Sequence, residues 1–201
     1  MSIVKLNNRS VKDITAFGSI SSLGSLTHIA TQTASSSASL SFTSGIDSTY
    51  KEYIFYFVNI HSSNDGVFFQ FNMSTDGGSN YNVTKTSTAF SAYHDEADTA
   101  TNLGYLTGVD LAQSTSFQTI ITDQGTDNDQ GSVGSLRIFN PSSTTFVKHF
   151  IGNTNVYHNG DYSAQTFTAG YGNTTSAVNA IQFKMNSGNI DSGQILLFGL
   201  N

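Results

Sequence analysis

The stretch YKEYIFYFVNI, residues 50–60, sets the tightest limit on what this chain can fold into. In a strand, successive side chains point to opposite faces. Tyr53, Phe55 and Phe57 then share one face and Ile54, Tyr56 and Val58 the other, and both are apolar. A strand on the outside of a lone antiparallel sheet alternates apolar with polar residues. Each face therefore needs a cover: the opposite sheet of a sandwich for one, a neighbouring element or subunit for the other. The expectation is that Tyr53, Phe55 and Phe57 serve an oligomer interface. Large exposed apolar patches are rare on monomers, so a homotrimer is expected.

The remaining pattern also has a period of two. TASSSASLSFTSG alternates small polar residues with Ala, Leu40 and Phe42, and GVFFQFNMS puts Val67, Phe69, Phe71 and Met73 on one face. Asp76-Gly77-Gly78 supplies the positive φ of a tight hairpin turn. Further short strands are expected over 86–93, 102–108, 117–122, 134–139, 145–151, 163–171, 180–185 and 194–199, each bounded by Asn, Asp, Ser or Gly. The one proline, Pro141, presets a turn. VDLAQSTSF is the one weak helical candidate. Strands at a spacing of about ten residues with turn signals between them indicate an all-β chain, an antiparallel β-sandwich of jelly-roll-like type. With 201 residues and no cysteine, its core must hold without disulfides, and a chain of this size buries roughly 70% of its unfolded surface.

Residues 1–31 read as an extended N-terminal arm and 32–201 as the sandwich domain. The arm carries Val4, Leu6, Val11, Ile14 and Phe17 among Lys5, Arg9 and Lys12. A free tail gains nothing from those apolar residues, so these eight are expected to attach the protein to a partner. Three of the eight positive side chains lie in the arm, while thirteen of the fourteen acids follow Asp13. The net charge of −6 opposes a nucleic-acid partner, and apolar runs shorter than ten residues oppose a membrane span.

The closing segment TTSAVNAIQFKMNSGNIDSGQILLFGLN resembles the C-terminal signature of small β-sandwich structural proteins of tailed bacteriophages, through Val178, Ile181, Phe183, Ser187, Gly188, Asn189, Ile190, Gly193, Leu197, Gly199 and Leu200. YKEYIFYFVNI is similar to that family's aromatic strand, FQFNMSTDGGSNYN to the strand and hairpin after it, and GSLRIFNPSSTTFVKHF to its central hairpin. The arm resembles those of marine-phage, especially cyanophage, proteins. The resemblance covers about residues 48–201. It implies a virion component assembled in the host cytoplasm, with other capsid or tail proteins as partners.

Chemistry is harder to find. The five histidines form no i, i+4 pair, and YHDEAD and TDQGTDNDQG lack the spacing of a metal or calcium site. No cofactor and no metal is expected, and no enzymatic activity. Tyr93, His94, Tyr157, His158 and Tyr162 set rings beside Asn and Asp, as glycan-binding loops do. The expected function is a non-enzymatic virion structural protein, a head-decoration protein or compact knob. The alternatives are a receptor- or glycan-binding tail-fibre tip on a host surface glycan, and a bacterial carbohydrate-binding module.

Overall fold

The computed structural model describes residues 26–201, so the expected attachment residues Val4 to Phe17 lie outside the described part. Twelve antiparallel strands make up the described residues: β1 (Thr27–Thr33), β2 (Leu40–Phe42), β3 (Glu52–Ser62), β4 (Val67–Ser74), β5 (Lys85–Asp95), β6 (Thr101–Tyr105), β7 (Gln118–Gln124), β8 (Ser132–Phe139), β9 (Lys148–His158), β10 (Tyr162–Gly172), β11 (Ala180–Met185) and β12 (Ile190–Leu200). The expected helical segment from Val109 to Phe117 holds turns and bends. β1 takes up residues 27–31, which were expected in the arm, because their backbone completes the sheet edge beside β12.

The larger sheet runs β1-β12-β3-β8-β9-β10-β5-β6 and the smaller β2-β11-β4-β7. One pair, Gln124 with His158, ties β7 back to β9 and nearly closes the structure. Among these strands the orders β1-β12-β3-β8 and β2-β11-β4-β7 are those of an eight-stranded jelly roll. The other four strands are additions. β5 and β6 leave from the β4–β7 connection, β9 and β10 from the β8–β11 connection, and together they make up four of the larger sheet's eight strands.

Tyr53, Phe55 and Phe57 are at most 2% exposed and face the smaller sheet. Phe55 meets Phe183 at 5.2 Å between ring centroids, and Phe57 meets Phe69 at 5.3 Å. Their assignment to an oligomer interface is corrected: these rings form the centre of the sandwich. The opposite face of β3 is the outward one, and Tyr56 and Val58 stand about 40% exposed there. Both faces are apolar, as the sequence required, but the roles of the two faces are exchanged.

Two features shape the ends. Gly77 and Gly78 take φ of +74° and +91°, the left-handed geometry expected of the hairpin turn. At the other place β3 and β12 both lose register, where Asn59 has φ +49° and Gly193 φ +110°. The Asn59 carbonyl approaches Gly193 so closely that a Cβ there would lie 2.4 Å from it. Glycine is what lets the two backbones meet.

Candidate functional site

The additional strands carry a partly inverted pattern. On the buried side of β5, β9 and β10 lie Ser87, Thr154, Thr166 and Thr168. The hydroxyls of Thr166 and Thr168 are buried there without a partner. The outward side carries Phe90, Ile151 and Phe167, with Leu103 and Tyr105 on β6. Phe90 and Ile151 are 43% and 48% exposed, and Leu103 is 70% exposed. Phe90 and Phe167 stack at 4.9 Å in direct register. A half-buried antiparallel sheet places its apolar residues inward. Here Phe150 and Val156 of β9 do turn inward, but Phe90, Ile151, Phe167, Leu103 and Tyr105 face outward, and exposed apolar patches of this kind mark interaction surfaces.

This outward face holds two adjoining concavities, of about 470 and 190 Å³. Thr86 and Thr88 wall one side, His149 and Ile151 the other, and Ala169 lies between them on β10. The register explains the groove: a small side chain on the middle strand sits between larger ones on its neighbours.

The five glycan candidates do come together, on strand ends and not in loops, and they divide by face. Tyr93, His158 and Tyr162 turn inward. Tyr162 stacks on His158 at 3.8 Å and lies 4.8 Å from Tyr93, so these rings cover the end of the core. Burial holds His158 below its ordinary range against the pull of Asp123, 3.5 Å away. The Gly160 N–H donates to its Nδ1, which leaves the proton on Nε2, beside the Tyr162 hydroxyl. His94 and Tyr157 turn outward. They flank Ser163 in the register and form a shallow trough of about 330 Å³ with Asn155. The Glu96 carboxylate beside Tyr157 pushes its phenol up to about 12.

YHDEAD closes a turn: the Asp95 carboxylate accepts from the Thr99 and Ala100 N–H groups, each at 2.8 Å, and His94 lies 3.1 Å from Asp98. The Thr99 hydroxyl, which also donates to this carboxylate, is the chief cause that holds Asp95 below the usual carboxylate range, followed by the Ala100 N–H. Among the described residues no three His, Asp or Glu side chains are grouped as metal ligands.

A polar concavity, of about 410 Å³, opens at the bulge between β3 and β12 and is lined by Asn59, His61, Asp129 and Asp191. His61 Nδ1 is 3.7 Å from Asp191 Oδ2. Sequence reasoning missed it, because its residues are spread over more than a hundred positions and only the bulge joins them. Two lysines are also fully buried, Lys85 and Lys148, on either side of Gly172 in the register. Lys85 donates to Asn72 Oδ1 at 2.6 Å and to the Val83 carbonyl at 2.8 Å; burial pulls it down to about 7.

No protein family, no curated protein and no solved structure matches this chain.

Proposed function

We propose that the chain is a non-enzymatic structural component of a phage particle, a compact jelly-roll knob or head-decoration protein. It assembles through the outward face of its larger sheet, as a homotrimer. The observation that supports this is the outward apolar face: Phe90, Ile151 and Leu103 face outward over a buried layer in which Ser87, Thr154, Thr166 and Thr168 lie beside Phe150 and Val156. Evolution keeps large apolar side chains outside a sheet when another surface covers them. The likeness of the closing segment to tailed-phage β-sandwich proteins gives the setting. The test is fractionation of purified particles from the source phage. A head component stays with tailless capsids, whereas a tail component leaves with the tail; absence of the chain from every particle fraction ends the reading.

A second reading rests on the His94–Tyr157 trough, whose two rings on either side of Ser163, with Asn155 beside it, suit a hydroxyl-rich ligand such as a host-surface glycan. Saturation-transfer NMR against a panel of soluble glycans tests it. The expected result is transfer that disappears in Tyr157→Ala; no transfer from any glycan removes this reading.

A further inference from the structure

The outward face over β9, β10 and β5 has an apolar concavity centred on Ala169, and the chain has an apolar segment outside the described residues. We infer that the groove receives the N-terminal arm, residues 1–25, of a neighbouring copy. The inference rests on the assembly reading above and names what joins one copy to the next.

The first argument is chemical. The groove walls are Thr86, Thr88, His149, Ile151, Ala169 and Tyr171, with no Lys, Arg, Asp or Glu among them. The nearest cation in the register, Arg137 beside Ile151, is held by Glu52. Such a groove accepts apolar side chains, and the arm offers Val11, Ile14 and Phe17. Beyond the groove, toward the far end of β5 and β10, the surface turns acidic. Asp95, Glu96 and Asp98 follow at the end of β5, and Asp161 precedes β10. The groups around Tyr157 there are Glu96, Asp161 and Asp129. The arm's cations, Lys5, Arg9 and Lys12, all precede Ile14 and Phe17 in the chain, with Val4, Leu6 and Val11 beside them. An arm seated by Ile14 and Phe17 and running toward this end brings Arg9 and Lys5 to the acids. Charge of this kind fixes direction and register more than it adds affinity.

The second argument is geometric. Residue 26 stands just before β1, the outermost strand on one side of the larger sheet. The groove lies on β10, five strands away, or about 24 Å at the usual strand spacing. From Leu26 back to Phe17 is nine residues, a reach of about 30 Å, and Lys5 reaches about 70 Å. The length suffices. That length reaches the groove of the same body as readily as a neighbour's; seated on a neighbour, an arm leaving one side of the sheet and a groove near the other make a head-to-tail contact. Contacts of this type close into rings when the rotation permits, which agrees with a trimer. The exchange would cover the outward apolar face around Ala169.

The chain has no cysteine, so every introduced thiol is a clean reporter. One chain carries Ile14→Cys and a mass tag; the other carries Ala169→Cys, an exposed position on the groove floor. The two are refolded together and mildly oxidised. A disulfide between differently tagged chains joins two copies by construction. The control pairs Ile14→Cys with Ser79→Cys in the distant hairpin turn, and circular dichroism confirms folding of each variant. The expected result is a mixed disulfide in at least several-fold excess over the control, lost when excess peptide spanning residues 1–25 is present. A double variant with both thiols in one chain that closes mainly within itself overturns the inference and places the arm on its own body. No excess over the control also overturns it. Sedimentation of the unmodified chain separates the two failures: an oligomer without the cross-link defeats the arm alone, and a monomer defeats the assembly reading as well.

Discussion

Phe183 is fully buried and has five phenylalanine rings around it, Phe42, Phe55, Phe57, Phe69 and Phe71, with centroids between 5.2 and 6.4 Å. It joins the two sheets at the centre of the sandwich. Phe183→Ala removes a ring and leaves a cavity, so a loss of about 3–5 kcal/mol is expected in denaturant unfolding. A loss below about 1 kcal/mol would show that the ring is not in the core. Lys85 is a different case. Its ammonium is buried with two neutral oxygen partners and no carboxylate, and its folded pKa is about 7 against an ordinary value of 10.5. Between those values the unfolded chain binds more protons than the folded one, so stability rises with pH through that window and the penalty is complete below about pH 7. Unfolding measured from pH 6 to 10 should show this rise, amounting to a few kcal/mol. Lys85→Met should flatten it, whatever the variant's absolute stability. A rise that persists in Lys85→Met would assign it to another group.

At the scale of elements, the paired bulge in β3 and β12 aligns two strands that would otherwise be out of register. Gly193 combines a left-handed backbone with close approach to the Asn59 carbonyl. Gly193→Ala should therefore cost about 2 kcal/mol or more, because strain and contact act together. Gly108, with nothing within 4 Å of an added Cβ, provides the comparison. Gly108→Ala should change the thermal midpoint little, and equal losses at both positions would show that Gly193 is not special. Most strands were legible in the sequence, with β11 recovered end to end at 180–185. β9 runs seven residues past its expected end at 151, to His158. Asn153 and Asn155 make that part look like a loop, yet they sit on the solvent side of a strand whose alternate residues, Thr154 and Val156, are buried. Polar residues on one face of a strand and small ones on the other leave no periodic signal to read.

For the whole molecule, the assembly reading predicts a stable oligomer, a trimer, in sedimentation velocity at micromolar concentration. Phe90→Asp should shift the population toward monomer and leave the β-sheet circular dichroism unchanged, since Phe90 projects outward and is 43% exposed. A monomeric parent protein would remove the reading. Unfolding of Phe90→Asp would mean that the outward rings stabilise the sheet itself.

The sequence by itself determined the class of fold. Period-two patterning, regular turn residues and the two-faced strand at residues 50–60 leave an antiparallel sandwich as the solution, because each apolar face needs a partner and strand spacing is short. Alternation, however, divides a strand into two faces without saying which one the protein buries. Tyr53, Phe55 and Phe57 went inward and Tyr56 and Val58 outward because the smaller sheet lies on one side only. On β10 the same ambiguity put threonine inside and Phe167 outside. The same holds for the ring cluster. Tyr93, His94, Tyr157, His158 and Tyr162 were legible as a group, but their division between a stacked end-cap and an open trough depends on which side of each strand faces the core. That choice is made by contacts between residues far apart in the chain, and tertiary structure alone decides it.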